Sequence, residues 1–407
     1  MDTPPLELVC EDDVIDITPS LVDERIAILT VDGTIEIHSF TGGKDQTVKR
    51  INVDNGLVRC IAFNPEATEI FCGCENGDVC IVSTDGKMTW KSPDSKKHEF
   101  EVSRVYCLNK SSYFSGDQEG GLKLWDPHSE HISCKSFKHH QDYISAFAYN
   151  EPEKCVVVAS ADGSLSVISM KDRDLLYQTD NCQDEVLSCC VVKNGKYICA
   201  GTQEGSVNIL KWNEEVDIAD RITGHPESID GMLKIDEDTI CTGSEDGILR
   251  VVQIIPNRFL GVIGMHDDFP VERMEWTFER KFLATCSHDN KVRLFDMAVL
   301  EDDGEEDEED EKDDSKDSDD DDADENENSK DNEENEESKD SSSESEEDKD
   351  NDSSAKKPQK RTRDDSSEED AKPAITKKKS VSARNLKRQK IIPNKSSGFF
   401  DDLWHVF

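Results

Sequence analysis

The repeat structure of this sequence predicts an all-β fold, a seven-bladed propeller followed by a long polar tail. One pattern recurs seven times before residue 300: a strand, a tight turn with an acidic residue or Asn beside Gly, and a second strand of alternating apolar residues. The spacings between successive turn positions are 44, 43, 43, 42, 42 and 43 residues. A period of about 43 residues is that of four-stranded propeller blades. The turn positions are Gly33, Gly77, Gly120, Gly163, Gly205, Gly247 and Asn290.

The sixth repeat illustrates how each unit builds one blade. Its apolar runs predict four strands, over residues 228–233, 239–244, 248–253 and 258–263. The second and third strands are joined by Asp246-Gly247, a dipeptide that suits the positive φ of a tight hairpin. A single sheet of this kind cannot bury both of its faces, so the repeats are expected to stack radially.

The seventh repeat ends after its third strand, near Met297, and therefore lacks an outer strand. Residues 6–10 alternate apolar and polar side chains and precede the first predicted inner strand, residues 14–17. We expect residues 6–10 to complete the seventh blade, because this arrangement removes two open sheet edges. The predicted propeller domain spans residues 6–298.

Charge divides the whole chain into three segments. Residues 1–300 carry 52 acidic and 29 basic residues, residues 301–352 carry 32 and 5, and residues 353–407 carry 7 and 14. The middle segment has almost no aliphatic side chain, and such a composition predicts a disordered acidic arm. Residues 353–396 are predicted to be a disordered basic segment, and residues 397–407 an aromatic docking peptide.

Composition also bears on compartment and chemistry. No run approaches about 20 apolar residues, so no membrane span is expected, and the first residues lack the pattern of a secretory signal. The 14 cysteines are then expected to be reduced thiols of an intracellular protein. Cys72 and Cys74 are predicted to be core residues.

We predict no metal site, no cofactor and no enzyme activity, since no phosphate loop, nucleophile elbow or metal-ligand spacing is present.

Several positions resemble WD repeats, which makes the predicted fold class a seven-bladed WD-repeat β-propeller. Trp125-Asp126 matches the signature dipeptide, five residues after Gly120. In that family a His, a strand Ser or Thr, the turn Asp and the Trp form a hydrogen-bonded network. The resemblance implies such a network in the last repeat, with Phe295 replacing the Trp. Its other expected members are His266, Ser287 and Asp289. The Trp position is occupied elsewhere by Ile168, Leu210 and Val252.

Repeats five to seven are similar to the WD repeat-containing protein 55 family. The similarity is carried by residues 227–232, by residues 241–247 and most specifically by the Pro256-Asn257-Arg258 linker. It covers about residues 6–300, and the tail adds an aromatic element at residues 399–403. The resemblance implies a non-enzymatic nucleolar scaffold in ribosomal RNA synthesis and processing and ribosome biogenesis, linked to cell-cycle progression.

Two alternative functions stay open. Some members of the family are linked to cullin-4-type ubiquitin ligases through a Trp-Asp-x-Arg motif, and the matching run here is Trp125–His128, with His in place of Arg. The acidic arm by itself suggests a histone-binding propeller. The partners implied are pre-ribosomal or nucleolar proteins, importin, and histones or a ubiquitin-ligase adaptor. RNA contact is expected to be indirect, and the chain is expected to be a monomer within larger complexes.

The tail holds the candidate site residues. Short Lys/Arg runs in a disordered segment are typical of nuclear import signals, which predicts a nuclear and nucleolar location. The import candidates are Lys356, Lys357, Lys360, Arg361, Arg363, Lys377, Lys378, Lys379, Lys387, Arg388 and Lys390. The candidates for docking into a partner groove are Phe399, Phe400, Leu403 and Trp404. The phosphorylation candidates, each followed by acidic residues, are Ser341, Ser343, Ser345, Ser366 and Ser367. For the arm a solubilising spacer remains an alternative, and for the docking peptide a contact with the propeller.

Overall fold

The computed structural model describes residues 4–298 except 55, 130–132, 183, 213–217 and 268. Seven four-stranded antiparallel sheets form this part of the chain, which confirms the predicted seven-bladed propeller. Within each of the first six sheets the strands follow one another in sequence order. No helix in the described ranges is long and apolar enough to cross a membrane.

The first four blades comprise strands β2 to β17. Blade 1 contains β2 (Val14–Pro19), β3 (Arg25–Thr30), β4 (Thr34–Ser39) and β5 (Gln46–Asn52). Blade 2 contains β6 (Val58–Phe63), β7 (Glu69–Cys74), β8 (Val79–Ser83) and β9 (Met88–Lys91). Blade 3 contains β10 (Val102–Asn109), β11 (Ser112–Asp117), β12 (Leu122–Asp126) and β13 (Ser133–Phe137). Blade 4 contains β14 (Ile144–Asn150), β15 (Cys155–Ser160), β16 (Leu165–Ser169) and β17 (Asp174–Gln178).

The remaining blades include the strand that closes the ring. Blade 5 contains β18 (Val186–Val192), β19 (Tyr197–Thr202), β20 (Ser206–Lys211) and β21 (Ile218–Thr223). Blade 6 contains β22 (Gly231–Lys234), β23 (Thr239–Gly243), β24 (Ile248–Gln253) and β25 (Arg258–Met265). Blade 7 contains β26 (Arg273–Trp276), β27 (Phe282–Cys286), β28 (Lys291–Asp296) and the N-terminal strand β1 (Leu6–Val9). Two short 3-10 turns occupy Thr41–Gly43 and Phe278–Arg280.

Strand β1 joins the two ends of the propeller. It pairs antiparallel with β28, with Leu6 opposite Leu294 and Val9 opposite Lys291. Just beyond it, the backbone N–H of Cys10 donates to the carbonyl of Asn290 at 2.9 Å, and the Asn290 amide donates back to the Cys10 carbonyl at 3.1 Å. Asn290, the residue that replaces the turn glycine in the seventh repeat, therefore holds the N-terminal segment in place.

The hydrophobic core is divided among the spaces between blades. Each of seven clusters of buried side chains lies between two neighbouring blades, including the pair formed by blades 7 and 1. Cys72 and Cys74 are fully buried in the cluster between blades 1 and 2, as predicted. The first strands of the sheets pack side by side around the ring, with β26 contacting both β22 and β2. These first strands line a central channel.

The hairpins between second and third strands explain the glycines of the repeat. All six turn glycines have φ between 77° and 83°, a region that side chains with a Cβ rarely adopt. At Gly120 a Cβ would also lie 2.6 Å from the backbone oxygen of His140. The turn therefore requires Gly for both its backbone conformation and its contact with the following loop.

Candidate interaction site in the central channel

A β-bulge in each of the first five inner strands directs polar groups toward the neighbouring blade. The pairing shifts by one residue between Val14 and Asp16, for example. Bulges re-aim the side chains around them. The Ser145 hydroxyl consequently donates to the carbonyl of Val186 at 2.7 Å, and the Ser188 hydroxyl donates to the carbonyl of Ile229 at 2.7 Å. Such contacts link successive blades.

The channel contains a cavity of about 320 Å³ lined by residues of all seven inner strands. Four carboxylates and two guanidinium groups face it, so the ionisable lining has a formal charge of −2. The charged lining residues are Asp16, Asp230, Glu272, Glu275, Arg104 and Arg273.

Both arginines of the channel lie beside one carboxylate. Nη1 of Arg104 is 3.7 Å and Nε of Arg273 is 3.6 Å from Oδ1 of Asp16. The second Asp16 oxygen accepts a hydrogen bond of 2.8 Å from the backbone N–H of Ile61. Burial, reinforced by the positive charge of Arg273, lowers the pKa of Arg104 to about 10. Both arginine side chains therefore lie in the channel wall beside Asp16.

Two other carboxylates have no cationic partner among the described residues. Asp230 accepts a 2.7 Å hydrogen bond from the Ser228 hydroxyl, but no Lys, Arg or His of the described ranges forms an ion pair with it or with Glu275. Burial raises the pKa of Asp230 to about 6. Water reaches Glu275 inside the channel, but the surrounding protein removes much of its hydration and raises its pKa to about 7. A cation entering the channel would relieve both unfavourable charges.

Two further acidic residues, Glu185 and Glu272, lie near Asp230. Together with Tyr143 and His288 these three residues define the channel mouth. Oε1 of Glu272 lies 2.7 Å from Nε2 of His288, and this hydrogen bond raises the pKa of His288. Burial and the negative charges of Glu185 and Asp230 raise the pKa of Tyr143 to about 12. A neutral phenol beside a group of carboxylates is suited to contact a lysine or arginine side chain, through its ring and through its hydroxyl.

The complete WD-type network is found in blade 3 and includes a residue that the sequence analysis missed. His98 is fully buried; its Nδ1 lies 2.7 Å from Asp117 Oδ2 and its Nε2 2.6 Å from Ser115 Oγ. The Trp125 indole N–H donates to the same Ser115 oxygen at 2.8 Å. His98 precedes the turn Gly120 by 22 residues, the same interval that separates His225 from Gly247, and this spacing would have identified it.

The hydrogen bonds observed around His266 in blade 7 differ from the predicted network. Nε2 of His266 lies 2.6 Å from the hydroxyl of Thr285, not Ser287, because Thr285 faces it from within strand β27. The buried Ser287 hydroxyl has no hydrogen-bond partner among the described residues. Asp289 instead lies 3.7 Å from the buried Arg293 guanidinium. The ring of Phe295 does pack edge-on against His266, at 6.3 Å between centroids. The network is therefore structural, and its residues lie outside the channel cavity.

The candidate residues of the tail cannot be placed in this geometry. All the predicted import, docking and phosphorylation residues follow residue 298 and lie outside the described ranges. The channel is a site that the sequence did not predict. Its residues come from inner strands that lie about 43 positions apart in the sequence, so only the closed ring makes them neighbours.

Comparison with known families agrees with the propeller geometry. The model of the WDR55 family matches residues 5–300, which is the whole of the propeller. This chain belongs to the WDR55 family. The inner strands, the closing strand and the channel residues all lie within the matched region of this WD-repeat propeller.

Curated relatives from fungi, plants and animals carry the same family name or its fungal counterpart. WD repeat-containing protein JIP5 of Cryptococcus neoformans is 36% identical over 263 residues, covering 61% of this chain and 69% of the relative. WD repeat-containing protein 55 of Arabidopsis thaliana is 30% identical over 286 residues, covering 70% and 79%. The human protein of that name is 28% identical over 280 residues, covering 68% and 72%.

The motif associated with ubiquitin ligases lies at the end of the third strand of blade 3. Trp125 is fully buried within the blade. His128, which replaces the Arg of the motif, is exposed, and its Nε2 lies 3.6 Å from Glu69 Oε2. A His at this position does not present the fixed guanidinium fork of an arginine.

Proposed function

We propose that this WDR55-family propeller is a nucleolar scaffold in ribosomal RNA synthesis and processing and in ribosome biogenesis, with a link to cell-cycle progression. The observation that carries the proposal is the family match over residues 5–300. A WD-repeat propeller of this kind is a protein-interaction platform, and the role in ribosome production is what the family resemblance implies.

We infer that the scaffold receives basic partners at the channel mouth. Asp230 and Glu275 form no ion pair within 4.0 Å among the described residues, although the charges of Arg104 and Arg273 reach Glu275 and that of Arg273 reaches Asp230. Glu185 adds negative charge nearby, whereas Glu272 is paired with His288. Ribosomal proteins and many pre-ribosomal factors carry extended basic segments, and charge complementarity of this kind selects partners and speeds their association. A Lys or Arg side chain of such a segment would enter the channel and pair with the free carboxylates.

The tail is assigned its roles as part of the same proposal. We propose that the basic clusters between Lys356 and Lys390 bind importin. We propose that the aromatic residues from Phe399 to Trp404 dock into a protein partner. The proposed role of the acidic arm is to bind basic proteins. Phosphorylation of its serines would strengthen that negative field.

The test is co-sedimentation of the tagged full chain with pre-ribosomal particles. The channel variant Asp230→Asn/Glu275→Gln replaces two carboxyl groups of the cavity by neutral amides. The control Asp85→Asn/Glu279→Gln makes the same replacement at exposed positions outside it. We expect the wild-type and control chains to sediment with the particles and the channel variant to be depleted from those fractions by at least several-fold.

Other results would favour the alternative functions. Absence of the wild-type chain from pre-ribosomal fractions, together with recovery of a cullin-4 adaptor in pull-downs, would replace the scaffold by a ubiquitin-ligase adaptor. Histone binding that disappears on deletion of residues 301–352 would favour the histone-binding propeller. Equal sedimentation of the channel and control variants would remove the channel from the proposal while leaving the scaffold role in place.

A further inference from the structure

Ring closure brings three metal-ligating side chains of different chemistry together outside the channel. Cys10 follows the closing strand β1, whereas Glu36 and His38 project from the same face of β4 in blade 1. All three are buried, with exposures of 5%, 2% and 0%. One potential ligand atom from each lies within 4.8 Å of the others. This cluster is separate from every residue that lines the channel cavity.

The hydrogen bonds around His38 direct one of its ring nitrogens toward the other two donors. Oδ1 of Asp45 lies 2.7 Å from His38 Nδ1 and accepts a hydrogen bond from that ring N–H. The second Asp45 oxygen accepts the backbone N–H of Val9 at 3.2 Å, which fixes the carboxylate. A carboxylate on the far nitrogen is the arrangement that orients a metal-ligating histidine. Nε2 then faces Glu36 Oε2 at 2.9 Å and Cys10 Sγ at 3.9 Å.

These atoms need a positive charge between them. A nitrogen lone pair and a carboxylate oxygen repel each other at 2.9 Å unless a proton or a metal ion lies between them. The remaining Glu36 oxygen is already held by Arg50 Nε at 3.2 Å.

We propose that Cys10, Glu36 and His38 form a binding site for Zn²⁺, which fastens the closing strand to blade 1. Thiolate, imidazole and carboxylate are ligands that zinc accepts. Zn²⁺ replaces the thiol proton and the proton shared by His38 Nε2 and Glu36, and both protons are released to solvent. The two ligand charges balance the ion, so the buried site is neutral. A water molecule takes the fourth position.

The observed spacing is close to what the ion requires. Zinc bonds of about 2.0 Å to nitrogen and oxygen and about 2.3 Å to sulfur, at tetrahedral angles, place the N and O ligands about 3.3 Å apart and the N and S ligands about 3.6 Å apart. The present distances are 2.9 Å and 3.9 Å. These two ligand pairs are therefore within about 0.4 Å of their zinc-bound separations, and the third pair, Cys10 and Glu36, lies within 4.8 Å.

The test measures Zn²⁺ and Co²⁺ binding to the metal-stripped full chain, with excess Mg²⁺ present to saturate the acidic arm. We expect one tight Zn²⁺ per chain. We also expect a thiolate-to-cobalt charge-transfer band that Cys10→Ser abolishes and the control Cys134→Ser retains. Asp45→Asn should weaken zinc affinity by about 10–100-fold through loss of the orienting carboxylate. A band that persists in Cys10→Ser, or no band in the wild-type chain, would overturn the proposal.

A second measurement does not depend on how the variants fold. X-ray absorption of the zinc-loaded wild-type chain should give one sulfur ligand per zinc, with nitrogen and oxygen ligands completing the shell. Two or more sulfur ligands would place the ion at other cysteines and refute the Cys10 site. If the chain binds no zinc, His38 is held by protons alone and the metal assignment is wrong.

Discussion

Nε2 of His98 lies 2.6 Å from Oγ of Ser115, and this contact is the centre of the only complete WD network in the described ranges. Ser115 donates to His98 and accepts the indole N–H of Trp125, which is fully buried. Although burial alone would raise the pKa of Asp117, its hydrogen bond from His98 holds that pKa below the usual value. The Ser115 hydroxyl is thus the hydrogen-bond partner of two buried groups, a ring nitrogen of His98 and the indole N–H of Trp125.

Ser115→Ala should destabilise the full chain by about 1–3 kcal/mol, because it leaves the Trp125 N–H and a His98 nitrogen buried without a partner. Ser287→Ala is a matched control, since Ser287 is equally buried but its hydroxyl has no partner among the described residues. The control removes a buried hydroxyl without a partner, so it is expected to be neutral or slightly stabilising. Denaturant unfolding followed by tryptophan fluorescence measures both. Equal effects of the two substitutions would contradict the structural role of the network.

Leu8→Ala should weaken closure of the ring. Leu8 is fully buried in the cluster between blades 7 and 1, and its truncation is expected to cost about 2–5 kcal/mol. The adjacent Val9 is 50% exposed, so Val9→Ala should cost less than about 0.5 kcal/mol. Hydrogen exchange of the amides in β28 provides a second measurement, with faster exchange expected in Leu8→Ala. Unchanged exchange in that variant would indicate that β1 is not needed for closure.

Two glycines of β25 should respond differently to the same substitution. A Cβ on Gly264 would lie 2.2 Å from Cε1 of Phe295, so Gly264→Ala is expected to cost about 1–3 kcal/mol. A Cβ on Gly261 would meet no atom within 4 Å, so Gly261→Ala should be neutral or slightly stabilising. Thermal unfolding of the two variants tests the packing of blade 6 against blade 7. Tolerance of Ala at position 264 would mean that this interface is looser than described.

Glu275→Gln should stabilise the chain in a pH-dependent way. The folded protein raises the Glu275 pKa to about 7, so between its ordinary value and pH 7 the folded state binds more protons than the unfolded state. Stability contributed by the neutral carboxyl is present at low pH and is lost as pH rises through this window. The advantage of the Gln variant should therefore be absent near about pH 4 and present near about pH 8. An equal advantage at both values, or one shared by Asp85→Asn, would exclude this cause.

The fold was predictable because its determinants are local and repeated. Gly33 and Gly247, like the four turn glycines that lie between them in the sequence, mark hairpins that require a positive φ. These turns and the one at Asn290 recur at a nearly constant interval, which predicts seven sheets. Ile168, Leu210 and Val252 occupy the Trp position and are buried there, so the loss of the signature residue leaves the packing pattern unchanged.

The sites were less predictable because they depend on contacts between distant residues. Asp230 and Glu275 are identified as carboxylates without a cation only when the inner strands form the channel wall. Cys10 meets His38 only because β1 joins the last blade beside the first. The error at Ser287 has another origin: Thr285 and Ser287 are two positions apart, and spacing alone did not determine which hydroxyl reaches His266.

The proposed nucleolar role is tested by the location of the fluorescently tagged full chain in cells beside a truncation at residue 353. We expect nucleolar signal for the full chain and its loss on truncation, which would make residues 356–390 the targeting segment. A full chain that remains in the cytoplasm would rule out the nucleolar role and leave a propeller that binds some other basic partner.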